Sequence, residues 1–221
     1  MKKPRNGNAA ARQRANGKTR APARTRERIL AAATQEFAAR GLGGARVDAI
    51  ARRAGANKRM LYHYFGNKED LFLAVMERTY AHIRSKEEGL RLEAMPPVEA
   101  MRKLVRFTFD YFVDNPHFIT LLNSENLHRA RHIKRSGRVK EINSPVIAAL
   151  GNILKRGRDE GVFRAGVDPL QLYISVAGVC YFYFSNVHTL TTIFGRALMS
   201  RTALDDRARH VTDVILGYLR A

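Results

Sequence analysis

A single cysteine, Cys180, and no tryptophan occur in the 221 residues. A lone thiol excludes an internal disulfide framework and any zinc finger built on cysteine pairs, and it suits a reducing compartment. Long apolar runs are missing as well: none reaches the roughly 18 residues of a membrane span. The basic start is not followed by the continuous apolar stretch of a signal peptide. The expectation is a cytoplasmic protein with no membrane association. Acidic residues are scarce, with 20 Asp and Glu against 39 Lys and Arg and a formal net charge of +19. That excess points to a polyanionic partner, nucleic acid first and an anionic membrane surface second. Glycine-rich phosphate loops, a nucleophile elbow and paired carboxylates in a plausible cleft are also lacking, so neither an enzyme nor a cofactor is expected.

What is present organises into three parts. Residues 1–23 form a basic arm with Lys2, Lys3, Arg5, Arg12, Arg14, Lys18 and Arg20, no acid, and no large apolar side chain after Met1. Such a segment buries too little surface to offset its ordering entropy and is expected to be disordered when free. It is either a solubilising tail or an arm that tracks phosphates or enters a minor groove. Residues 24–70 carry helical periodicity. Ile29, Leu30, Ala33, Phe37 and Ala38 recur at helical spacings, and Gly41 closes that helix. A short helix over residues 47–54 follows, ended by Gly55. A second short helix covers residues 57–64, with Asn57 as N-cap and Leu61 and Phe65 turned to the core. Asn67 then caps a long helix with Glu69 and Asp70 in its first turn, where the macrodipole favours acids.

Two short helices joined by a tight turn and packed on a longer one are what a helix-turn-helix requires. The second helix of the pair enters the major groove. Here it offers Asn57, Lys58, Arg59, Met60, Tyr62 and His63, which are mostly donors and flat rings. Arg59 suits bidentate pairing with guanine, whereas Lys58, Tyr62, Tyr64 and Lys68 suit phosphates.

The run from Arg28 through Phe37, then Val47-Asp48-Ala49-Ile50-Ala51-Arg52-Arg53-Ala54-Gly55, then Leu61-Tyr62-His63-Tyr64-Phe65 and Asn67-Lys68-Glu69-Asp70-Leu71-Phe72, resembles the DNA-binding domain of the TetR family. The resemblance spans about 45 residues in a spaced pattern. It implies that Asn57, Lys58, Tyr62, His63, Tyr64 and Lys68 approach DNA. The chain departs from the common family pattern at Arg46-Val47, Arg59 and Met60. These positions therefore join the candidate DNA-binding set, and the operator is not one borrowed from a relative.

Residues 71–221 match the family in plan only, as a helical ligand-binding and dimerisation domain. Helices are predicted from Pro97 to about Asn115, from Pro116 onward, over residues 144–159, from Pro169 to Val187, and over residues 205–219. No β pattern is evident, so the fold class is all-α with nine or ten helices. The resemblance implies that the last two long helices pair with their copies in a homodimer. The nearly all-round apolar character of residues 170–184 agrees with that. Polar residues interrupt the apolar side of residues 121–129. This makes Glu125, Asn126 and His128 candidate ligand-orienting groups, with Phe109, Phe112, Leu122, Tyr173, Cys180, Tyr181 and Phe184 as candidate walls. The alternative is that Glu125 pairs with Arg129 on a solvated face and the aromatics are plain core. Glu125, His128 and His132 share a helical face, but Arg129 and Arg131 would repel a cation, so no metal site is expected. Cys180, in apolar surroundings with no nearby base in sequence, reads as an inert thiol.

The resulting expectation is a sequence-specific transcriptional regulator, a repressor released from a palindromic double-stranded DNA operator by a small-molecule effector. The competing class is a non-specific DNA binder, argued by the basic arm and the net charge.

Overall fold

The computed structural model describes the backbone of residues 7–221 and the side chains from residue 22 onward. Among these residues there are ten α-helices and no strand. The one β-like feature is an isolated antiparallel bridge between Phe163 and Arg220. The chain divides into two compact units, residues 1–75 and 76–221.

The first unit begins with α1 (Gly7–Gly44), whose helical geometry is interrupted at Gly41, φ +63°. A side chain at that φ would meet its own carbonyl, so glycine ends the helix there as the sequence predicts. The helix reaches back into the segment assigned to the basic arm. The backbone from Gly7 on is helical, in keeping with the high helix propensity of its Ala9-Ala10-Ala11 run. Residues 1–6, and the cationic side chains expected to track phosphates, lie outside the described residues. Next come α2 (Val47–Arg53) and α3 (Lys58–Phe65), separated by a turn in which Gly55 has φ +57°. The core of this unit is Ile29, Leu30, Ala33, Phe37, Ile50, Ala51, Leu61, Phe65, Leu71, Phe72 and Val75, all buried. Phe37 and Phe72 meet edge to face at 5.2 Å.

Helix α4 (Lys68–Glu88) is continuous across the boundary between the units. Asn67 caps it by accepting the Asp70 N–H at 2.9 Å. The second unit continues with α5 (Pro97–Asp114), α6 (Pro116–Leu127), α7 (Gly137–Asp159), α8 (Pro169–Ser185), α9 (Val187–Phe194) and α10 (Arg201–Leu219). Helix α5 is central, packing against α7, α8 and α10. Its predicted core face, Met101, Leu104, Val105, Phe109 and Phe112, is buried.

Three boundaries differ from the sequence expectation. Helix α7 starts at Gly137, not at residue 144, with Ser136 as its N-cap accepting from the Val139 N–H at 3.2 Å. Pro145 sits inside it. The Glu141 carbonyl that loses its donor to the proline is taken by the Ser144 hydroxyl at 3.0 Å. The apolar run from Pro169 breaks at Asn186, and a separate helix, α9, follows it. Helix α10 begins at Arg201, capped by Ser200, whose Oγ accepts from the Ala203 N–H at 3.3 Å. No single helix among the described residues is long and apolar enough to cross a membrane. Helices α8 and α9 reach that length and composition only together, bent by 66°.

Candidate nucleic-acid interface and ligand cavity

In the first unit, α3 presents one face to the core through Leu61 and Phe65 and leaves the other in solvent. Its N-terminus is fixed by Asn57, whose Oδ1 accepts the Met60 N–H at 2.9 Å. The Asn57 carbonyl-type oxygen is thus committed to capping, which leaves the side-chain amide nitrogen for an outside partner. Lys58, Arg59, Tyr62 and His63 are exposed, while Met60 and Tyr64 are half-buried. His63 packs edge-on against Tyr64, with ring centroids 5.3 Å apart. Lys58 lies 3.3 Å from Asp48 of α2, in a solvated pair that a phosphate can displace. Arg59 has no hydrogen-bond or ion-pair partner among the described residues.

Helix α2 begins at Val47, half-buried, after an exposed Arg46. The Arg46 N–H donates to Glu36 Oε1 at 3.3 Å. Glu36 is buried on α1, and its carboxylate also lies 3.4 Å from Arg40 and 3.8 Å from Arg53. This carboxylate joins α1 to the start and end of α2 and so sets the angle at which the pair of short helices is held. Sequence reasoning missed it, because its partners stand four, ten and 17 residues away. Lys68, expected at phosphates, donates instead to the Ala45 carbonyl at 3.1 Å and the Gly43 carbonyl at 3.4 Å. Its ammonium steadies the turn before α2, with one of its three N–H groups left over.

In the second unit a cavity of about 230 Å³ is lined by side chains of α4, α5, α6, α7 and α8. Of the candidate ligand residues it brings together Phe112, Leu122, Tyr173 and Tyr181. The others stand elsewhere. Phe109 and Phe184 pack on each other at 4.9 Å. Cys180 is fully buried in the core, and burial pushes its thiol up to about 12, as an inert thiol requires. Asn126 is exposed and donates to the Leu122 carbonyl at 2.9 Å. His128 Nδ1 lies 2.7 Å from the Ser124 carbonyl.

Glu125 neither faces solvent nor lines the cavity. It is buried, and Oε1 accepts the backbone N–H groups of His132 and Ile133, both at 2.9 Å. Its Oε2 lies 2.6 Å from His132 Nδ1. The carboxylate fastens a loop in which Arg129 and Ala130 hold left-handed φ values of +55° and +57°. Two such residues in succession are strained, and the bonds to Glu125 over-determine them. No group of three or more His, Cys, Asp or Glu side chains among the described residues is placed to hold a metal.

The cavity contains groups that periodicity did not single out. Arg84 and Glu87, one turn apart on α4, form a buried pair with Nη1 and Oε2 2.7 Å apart. Desolvation raises the Glu87 carboxyl to about 7, opposed by the adjacent guanidinium. Tyr80 also lines the cavity, and burial pushes its phenol up to about 12, with the neighbouring Tyr173 adding to the shift. Tyr181 donates to Asn123 Oδ1. The available signal was the continuation of the Leu71–Tyr80 stripe through Ile83, Arg84 and Glu87, where charged residues occupy core-facing positions.

An exposed basic reading helix in a helix-turn-helix, carried on a chain whose second unit encloses a cavity, is the make-up of a DNA-binding regulator. Residues 29–75 match the family profile "Bacterial regulatory proteins, tetR family". Residues 97–215 match the profile "Tetracyclin repressor-like, C-terminal domain". The HTH-type transcriptional repressor NicS of Pseudomonas putida is 38% identical over 89% of this chain and 93% of its own length. The HTH-type transcriptional repressor SCO4008 of Streptomyces coelicolor is 30% identical over 72% of this chain and 78% of its own. In fold, the chain is similar to the transcriptional regulator FadR of Bacillus subtilis, solved in complex with stearoyl-CoA. The TM-score is 0.65 at 18% identity, covering 87% of this chain and 98% of that one. The chain belongs to the TetR family and is a DNA-binding transcriptional regulator.

Proposed function

We propose that this regulator is a repressor that binds a palindromic operator as a homodimer and leaves it when a small molecule occupies the cavity of the second unit. The observation that carries the reading is α3, whose outer face holds Lys58, Arg59, Tyr62 and His63 in solvent above a buried Leu61 and Phe65. Arg59, unpaired, is the base-reading side chain. Arg46, Lys58 and Tyr62 contact phosphates, and Tyr64, Met60 and Val47 shape the surface between them.

Dimerisation is supported by large apolar side chains left exposed on α8 and α10. Leu170, Ile174 and Phe182 recur at multiples of four on α8, and Val214 and Tyr218 do so on α10. Added Cβ atoms at Gly178 and Gly217 would meet nothing, so both helices also present small residues for close approach. Two copies related by a two-fold axis present two reading helices to successive major grooves. Helix α4 runs through the boundary between the units and includes Tyr80, Ile83, Arg84 and Glu87 of the cavity. It is the element through which occupancy changes the spacing of the heads. Residues 1–23 add contacts to phosphates, and the protein works in the cytoplasm.

Fluorescence anisotropy on DNA selected from a random pool tests the reading. The protein is expected to prefer the selected site over shuffled DNA by about a thousandfold at physiological salt. Equal affinity for both would establish a non-specific binder instead. Removing residues 1–23 is expected to weaken binding to all sequences alike and to flatten the salt dependence.

A further inference from the structure

We propose that the effector is a small, flat organic monoanion, an aromatic carboxylate, whose charge is received by the Arg84 guanidinium inside the cavity. The inference deepens the effector reading above and rests on it.

Arg84 is the only cation, and Glu87 the only anion, among the described residues that line the cavity. Arg84 is 6% exposed, so its donors depend on partners within the protein. It carries five N–H donors. Glu87 Oε2 lies 2.7 Å from Nη1, yet Nη1 makes no hydrogen bond of acceptable geometry, where a well-placed carboxylate can accept two. Nη2 reaches the Tyr173 hydroxyl at 3.5 Å, the outer limit of a hydrogen bond. Nε is buried and has no hydrogen-bond partner. Buried polar groups are nearly always satisfied, and unmet donors on a buried cation are costly. A guanidinium so poorly matched by its own protein is a receptor for an acceptor that comes from outside. A carboxylate offers two oxygens in the plane that matches the guanidinium fork.

The remaining walls define the rest of the ligand. Tyr80, Phe112, Phe118, Tyr173 and Tyr181 supply rings to the lining, and Arg84 lies over the Tyr173 ring at 5.7 Å. A flat apolar ring is what such walls accept. The volume, about 230 Å³, falls below the ~300 Å³ lower end of drug-sized sites and holds on the order of ten non-hydrogen atoms. One guanidinium balances one negative charge, so a dianion would leave a buried charge unmatched.

A second cavity, of about 350 Å³, shares Arg84, Glu87, Leu104 and Val146 with the first. The ion pair therefore stands on the wall common to both. An anion arriving there competes with Glu87 for the guanidinium. Glu87 can yield by taking a proton, since desolvation already makes its carboxyl a weak acid.

Calorimetric titration of the full-length protein with benzoate and phenylacetate, beside their neutral amides benzamide and phenylacetamide, tests the proposal. The acids are expected to bind at least about tenfold more tightly than the amides of the same shape. Replacing both partners, Arg84→Gln with Glu87→Gln, is expected to erase that preference. Acids and amides binding equally, or no acid binding at millimolar concentration, would overturn the proposal. So would an acid preference that survives in the double variant. The acid-against-amide comparison in the unaltered protein stands even if the variant fails to fold. DNA release, followed separately by anisotropy, separates the two readings. Amides that bind and release DNA would leave the effector reading standing and remove the anion. Acids that bind through Arg84 without moving DNA affinity would do the reverse.

Discussion

Arg59 and Lys58 are neighbours on α3 with different surroundings. Arg59 has no internal partner, and Lys58 is held 3.3 Å from Asp48. Arg59→Ala is expected to cost about 1–3 kcal/mol on the preferred site and to relax the choice of base at one position of each half-site. Lys58→Ala should weaken binding to all sequences alike and lower the salt slope by about one. Binding isotherms on single-base variants of the site, at several salt concentrations, check both. Glu87 makes a separate prediction. Its carboxyl is raised from 4.5 in the unfolded chain to about 7 in the fold. An acid whose folded value is raised contributes stability that is complete below its unfolded value and is lost as pH rises through the folded one. Stability should therefore fall between about pH 4.5 and pH 7, by up to ~3 kcal/mol from this group. Glu87→Gln should remove that part of the slope in thermal melts.

At the scale of elements, local signals were the readable ones. The Asn57 cap, the positive φ of Gly41 and Gly55, and the Leu61–Phe65 spacing placed α3 to within a residue at each end. These features act within one turn, so the sequence carries them directly. Pro145 misled, because a proline reads as a helix start unless the Ser144 hydroxyl is known to serve the freed carbonyl. The end of α8 at Asn186 was hidden by apolar residues on both sides of the break. Glu125 looked like a ligand group on α6 because the loop it fastens, seven and eight residues on, has no periodicity to reveal it. The turn after α7 depends on another feature beyond pattern reading. A Cβ at Gly157 would lie 2.0 Å from the Phe163 ring, which is buried against it. Gly157→Ala must move that ring and is expected to destabilise the second unit by about 1–3 kcal/mol, measured by denaturant unfolding.

On the scale of the whole molecule, the net charge of +19 argued for DNA before any helix was placed, and the family assignment agrees. The cavity was only half legible. Phe112, Leu122, Tyr173 and Tyr181 were anticipated, while Tyr80, Arg84 and Glu87 were not, since they reach it from α4. Long-range convergence of that kind has no period. Assembly is the remaining level. Ile174→Glu with Phe182→Glu places charges among the exposed apolar side chains of α8. It is expected to yield monomers in sedimentation and to weaken site binding by about tenfold or more, because one reading helix then acts alone.

The most direct measurement is a high-resolution footprint of the full-length protein on DNA selected from a random pool. The account predicts two protected half-sites of inverted sequence, their centres about 10 base pairs or a multiple of that apart, with Arg59→Ala altering the bases chosen within each. Protection without a discrete site, or a single asymmetric half-site bound by one copy, would contradict it.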